Sequence, residues 1–178
     1  DEFIKNGYPK VKNMACCAGL RKQYKNGYFK DYMPMGSNGI IPVGEELANF
    51  LLFYEKKKGT DYGFALPTCS LMIDKNCFHK FGSFDLNLRR VEDMDMTIRL
   101  SLGKTKFLSV KEILVLQKAN IFSNNASEAN FKSEIYLIKK YKSYLDKKGL
   151  FSHSILWPEL RFNYFNKNFH KCFFILIK

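Results

Sequence analysis

Nowhere in these 178 residues is there an apolar run of the ~18 residues that a bilayer-spanning helix needs. The chain also lacks a charged-then-apolar leader, an internal repeat, a glycine-rich phosphate loop and a tight arginine cluster. Its five cysteines include the adjacent Cys16 and Cys17 but no C-x-x-C pair. That spacing suits neither a zinc site nor a disulfide framework, and leaves small buried or half-buried thiols in a reducing compartment.

Apolar and basic residues are plentiful instead. Hydrophobic residues make up 46% of the chain and aromatics 16%, a globular composition and not a disordered one. The length suits one well-buried domain, alone or with an appendage. The net charge is +12, and +7 of it falls in residues 131–178, where ten Lys or Arg stand against three Asp or Glu. Such a balance permits contact with an anionic surface. No nucleic-acid motif accompanies it, so no nucleic-acid partner is expected.

The stretch Pro67 to Leu102 organises the rest. It reads as an apolar strand, Cys69 to Ile73, with Asp74 placed to cap a short helix. A glycine-broken turn follows, Phe81-Gly82-Ser83-Phe84-Asp85, and then a helix opening on Glu92-Asp93. A carboxylate in a first helical turn lies near unpaired N–H groups and the positive end of the dipole, which favours its ionised form. Asp93 is thus suited to take a proton from a hydroxyl, although acidic residues also open helices with no further role. Asp95 and Arg99 stand four apart and can pair; Met94, Ile98 and Leu102 form an apolar stripe. Asp93 and Asp95 point in different directions and make a poor metal pair.

Taken in order, Asp74-Lys75-Asn76, Gly82-Ser83-Phe84-Asp85, Glu92-Asp93-Met94-Asp95-Met96 and Arg99 resemble the acceptor-side half of family 2 glycosyltransferases of the GT-A fold. Members carry a G-x-F-D turn and then an E-D-x-D helix ending in Arg. The resemblance covers Ala65 to Phe122. It implies an α/β fold, a GT-A-like mixed sheet flanked by helices. Residues 1–123 would form the acceptor-side part, and 124–178 a helical, basic and aromatic-rich appendage.

The resemblance also implies roles. Asp93 matches the catalytic base of an inverting single displacement, and Glu92 would orient the acceptor or the base. Arg89 and Arg90 would touch a phosphate or the acceptor. Several members place a histidine after the next hairpin to complete the metal or diphosphate site; residues 117–123 contain none, so Lys118 or Asn120 would contact the diphosphate instead. Members hold their nucleotide-binding half first and end it in a D-x-D motif. The chain is therefore expected to be a piece of a longer polypeptide, with Asp1 the last carboxylate of that motif, holding a divalent cation (Mg or Mn). The implied partners are a nucleotide-sugar donor and a saccharide or lipid-linked acceptor on the way to a surface glycan. The implied place is cytoplasmic, peripheral at the inner face of the cell membrane. No Q-x-x-R-W motif is present, which argues against a processive, membrane-embedded synthase.

Elsewhere the residues speak alone. Asn26-Gly27 predicts a two-residue type I′ turn between strands Ala18–Tyr24 and Tyr28–Met33. Met35 to Gly44 reads as a loop. Glu45 to Lys58 reads as a helix with Leu47, Phe50, Leu51 and Tyr54 on one face, Lys56-Lys57-Lys58 at its negative end and Gly59 after it. Two short strands are expected at Lys106–Val110 and Ile113–Gln117. A long helix should run from Ser127-Glu128 to about Lys148, burying Phe131, Ile135, Ile138, Tyr141 and Leu145, with Gly149 as its stop. Beyond it, the basic, aromatic tail 150–178 suits either an anionic membrane surface or packing on the domain, or both. Three functions remain open: the transferase, a basic module docking on anionic lipid or nucleic acid without catalysis, and an inactive fragment of the enzyme.

Overall fold

The computed structural model describes residues 14–64, 66–118 and 127–177. In chain order the elements are β1 (Met14–Gln23), β2 (Phe29–Tyr32), α1 (Glu45–Phe53), β3 (Leu71–Ile73), α2 (Lys75–Phe81), α3 (Glu92–Leu102), β4 (Lys106–Lys118), α4 (Glu128–Lys140), α5 (Lys142–Asp146), α6 (Phe151–Phe165) and α7 (Phe169–Leu176). The chain is mixed α/β, as expected. Its described residues form two compact units: one holds the sheet and α1–α3, and the other holds Asp85–Glu92 and the C-terminal helices. The expected boundary at residue 123 lies outside the described residues.

The sheet unit is built on β1. Met14 to Cys17 are buried one after another with no alternation, the signature of a strand covered on both faces. β4 runs parallel to it from Met14↔Lys106 to Gln23↔Lys118. Antiparallel β3 pairs with its first half and antiparallel β2 with its second. Leu47 and Ala48 of α1, Met96, Ile98 and Leu100 of α3, and Phe107 of β4 complete the buried set.

Several expected elements take a different form. The two short strands after α3 are one strand, β4, whose register against β1 slips on either side of Gly19. Lys111-Glu112 offers no turn chemistry, so three surplus residues, Lys111, Glu112 and Leu114, are absorbed as bulges. Gly19 makes room for the first, because a Cβ there would lie 2.8 Å from the Glu112 carbonyl oxygen. Gly19→Val should therefore cost about 1–3 kcal/mol, read as a lowered urea midpoint with an unchanged slope.

The hairpin forms, but not through a type I′ turn. Tyr24 N–H donates to the Tyr28 carbonyl at 2.8 Å, and Gly27 N–H to the Tyr24 carbonyl at 3.0 Å. Gly27 has φ 78° while Asn26 does not have the positive φ that type I′ demands at both centres. The Asn26 side chain instead accepts Tyr28 N–H at 3.1 Å. The segment Cys69–Ile73 opens with a single 3₁₀ turn, Thr68–Ser70, and only Leu71–Ile73 is strand. Asp74 caps α2 as expected, accepting Asn76 N–H at 2.8 Å.

The helix expected over Glu45–Lys58 ends at Phe53. Tyr54 turns left-handed at φ 62° and donates its N–H to Phe50, so Lys56–Lys58 lie beyond the helix and do not complement its dipole. Lys56 instead holds its Nζ 5.4 Å from the Phe50 ring centroid.

In the helical unit, Ser127 caps α4 by accepting Asn130 N–H at 3.2 Å. The long helix expected to reach Lys148 breaks at Tyr141, and α5 continues to Asp146 before Gly149. Its buried face includes Ser133 and Leu137 with Ile138 and Leu145, while Phe131, Ile135 and Tyr141 are half-buried. Phe131 stacks on Phe162 of α6 at 4.5 Å. Arg161 pairs with Glu134, whose carboxyl is nonetheless raised, chiefly by burial.

Asp85 accepts from Lys140 Nζ at 2.7 Å and from Asn87 N–H at 3.0 Å. Those donors, Lys140 foremost, hold its carboxyl below the usual range. A depressed carboxylate contributes stability that is present above its unfolded value and lost as pH falls through its folded one. Asp85→Asn should cost about 1 kcal/mol at neutral pH and almost nothing in strong acid, where the wild-type carboxylate is itself protonated. Denaturation at the two pH values checks the sign.

Candidate active site

The site begins with a clamp. Asp95 is 0% exposed, and Arg99, one turn on, reaches its Oδ2 from Nε at 3.0 Å and from Nη2 at 2.9 Å. The same guanidinium donates to the carbonyls of Phe81, Gly82 and Ser83. Every nitrogen of Arg99 is thus engaged, and the glycine turn is fastened to α3 by one side chain. The second Asp and the Arg of the sequence pattern are structural, and they unite its two parts, turn and helix, in one device.

Asp93 lies two residues before Asp95, about 200° away around the helix. Its position is half-buried, on a hollow of about 290 Å³. Phe50, Leu51 and Tyr54 at the end of α1 form one wall, Gly63, Phe64, Leu66 and Pro67 another, and Asp93, Met94 and Thr97 the third. Asp93 Oδ1 accepts Met94 N–H at 2.8 Å, and Thr97 Oγ1 donates to the Asp93 carbonyl at 2.7 Å. The lining is mainly apolar and aromatic with a few polar groups, the usual make-up of a small-molecule site.

Local sequence explains the walls. Tyr54, turned left-handed, is 52% exposed and does not join the buried face of α1 that its spacing suggests. A bulky residue at positive φ is uncommon and marks functional strain more often than a random position does. Phe64 is 43% exposed and packs against Tyr32 at 4.2 Å. Asp61 places it: its side chain accepts Asn38 N–H at 2.8 Å and Gly63 N–H at 3.0 Å, and its backbone bonds Gly36 and Ile40. These bonds fasten the 35–44 loop to the 59–64 segment. Gly63 has φ 46°, and a Cβ there would come within 2.4 Å of the Met35 nitrogen, so the wall closes only around glycine.

Of the candidate site residues named from the sequence and present among the described residues, Asp93 alone lines this hollow. Glu92 is half-buried at the start of α3, and Arg89 and Arg90 are exposed on the Asp85–Glu92 segment. Arg90 lies close enough to Glu134 to oppose, slightly, the rise of its carboxyl. Lys118 is exposed at the last residue of β4. Asp1 and Asn120 lie outside the described residues. The apolar stripe of α3 is also wider than Met94, Ile98 and Leu102: Met96, Ile98 and Leu100 are fully buried, and Met94 and Leu102 only half. Sequence reasoning assigns Tyr54 to a helix face and misses Asp61 and Phe64, whose local signal is the Asp-Tyr-Gly-Phe run at 61–64.

Among the described residues no three His, Cys, Asp or Glu side chains converge as a metal site. None of the described cysteines forms a disulfide, and among them only Cys69 is exposed. Burial pushes the Cys17 thiol up to about 12, which keeps it an inert neutral group. No described helix is long and apolar enough to cross a membrane. No family model, curated protein or solved structure matches the chain.

Proposed function

We propose that this chain carries the acceptor-activating site of an inverting glycosyltransferase, which moves a sugar from a nucleotide-sugar donor to a hydroxyl of a saccharide or lipid-linked acceptor. One observation carries the reading: a half-buried carboxylate, Asp93, in the first turn of α3, lining a hollow walled by exposed aromatic rings. The acceptor hydroxyl gives its proton to the Asp93 carboxylate as its oxygen bonds to the anomeric carbon from one side. The bond from that carbon to the nucleoside diphosphate breaks on the other side, and the diphosphate leaves with the electron pair. Tyr54 and Phe64 supply faces against which a sugar ring's apolar side can rest.

Asp95 and Arg99 position the base and do not touch substrate; by fixing α3 to the 81–83 turn they hold Asp93 in register with the hollow. A divalent cation, when bound, would neutralise charge on the leaving diphosphate. The described residues do not furnish its site, Asp1 lies outside them, and no step here runs through it.

The test is release of nucleoside diphosphate from a panel of nucleotide sugars, with saccharide acceptors and Mg or Mn, by the protein at its full natural length. Turnover that depends on Asp93 supports the proposal. Absence of turnover with every donor, or an Asp93→Asn variant as active as wild type, ends it.

A further inference from the structure

The C-terminal helices leave an apolar face uncovered beside an exposed lysine, Lys167. Helix α7 rests on α6 through Cys172, buried with its Sγ 3.8 Å from the Leu160 carbonyl, and through the half-buried Ile175. Those two residues are three apart and define the inward side. Phe169, Phe173 and Leu176 recur at helical spacing on another side, and with Phe174 and Ile177 they are exposed; Phe173 is 62% and Leu176 70% exposed. The face continues onto the end of α6, where exposed Tyr164 meets the Phe169 ring edge-on at 6.2 Å and Phe165 at 5.6 Å. A contiguous patch of this kind is rare on a protein surface without an interaction to cover it.

Charge selects the occupant. After Glu159 the sequence contains no Asp or Glu, and Lys167 is exposed between Phe165 and Phe169, whereas Lys171 lies on the opposite side of α7 and lines a hollow with Glu159 and Phe174. A second copy seated face to face would set lysine against lysine. α7 spans Phe169–Leu176, far too short to cross a bilayer but long enough to lie in its surface. Aromatic rings at headgroup depth, with a lysine stem reaching outward, fit that position. We infer that the α6–α7 end is a docking face for an anionic lipid bilayer, with Phe169, Phe173 and Leu176 entering the headgroup–acyl boundary and Lys167 meeting lipid phosphates. The inference is independent of catalysis, so failure at Asp93 would leave it standing.

Vesicle co-sedimentation of the full-length protein tests it, using phosphatidylcholine alone and phosphatidylcholine with about one-third phosphatidylglycerol. The single tryptophan, Trp157, lies on the α6 face that carries Tyr164 and Phe165 by helical spacing, and serves as an internal fluorescence probe. Expected are binding about tenfold or more tighter to the anionic vesicles, weakening with salt, and a blue shift of Trp157 emission. Lys167→Glu should remove most of the preference, and Phe173→Ser with Leu176→Ser should lower binding about tenfold or more. The substituted side chains are exposed and leave Cys172 and Ile175 in place; circular dichroism verifies the fold. Should a variant unfold, the wild-type comparison of the two vesicle types decides alone. Equal binding to both vesicles, no binding to either, or self-association that Phe173→Ser with Leu176→Ser removes while vesicles are ignored, overturns the inference.

Discussion

Asp93→Asn is expected to lower turnover by about 10²–10⁴-fold and to leave KM nearly unchanged. The size follows from the role. A general base acts only as the hydroxyl proton moves, so its loss is felt in the transition state and hardly in the bound ground state. Asn keeps the shape and an oxygen acceptor for Met94 N–H, so the start of α3 should hold. Thermal unfolding of the variant within a degree or two of wild type would verify that. A drop confined to KM, with kcat intact, would instead make Asp93 a binding group and remove the base from the mechanism. Tyr54→Ala and Phe64→Ala provide the contrast: as walls of the hollow they should raise KM more than they lower kcat.

Arg99→Met should destabilise the fold by about 3–5 kcal/mol, the largest stability loss among the substitutions considered. The substitution removes a cation from a fully buried carboxylate and strips donors from three backbone carbonyls of the 81–83 turn. Arg99→Lys should rescue only part of this, because one ammonium cannot reach a carboxylate and several carbonyls in a single fork geometry. The informative variant is the pair Asp95→Leu with Arg99→Met. Replacing both members with apolar groups leaves no uncompensated buried charge, so the pair should be more stable than Arg99→Met alone. Urea denaturation of the three proteins decides this. If the pair is the worst of them, the ion pair contributes more than its desolvation costs. Activity reports separately: the pair should lose turnover even where it folds, since the turn and the base are no longer held together.

The sequence was most legible where one residue type has one physical use. Asp74 and Ser127 cap helices because a short oxygen-bearing side chain before an amphipathic run has few other roles. Asp95 and Arg99 pair because helical spacing leaves them adjacent. It was least legible where a competing contact from far along the chain intervened. The first bulge in β4 depends on Gly19, ninety-three residues before Glu112. The early end of α1 coincides with Glu46 accepting the hydroxyls of Thr60 and Tyr62, and with Tyr62 accepting Lys57 N–H. Local periodicity carries no trace of such partners.

By itself, then, the sequence determined the mixed α/β class, the caps, the turn at Gly82 and the placing of one carboxylate in the first turn of α3, since each depends on neighbours within a few residues. The tertiary structure alone decided that Asp93 looks onto a hollow, that Tyr54 and Phe64 stand exposed beside it, and that Phe173 and Leu176 remain uncovered. Which side of an element is buried depends on what arrives from elsewhere in the chain, and a one-dimensional pattern does not contain that information.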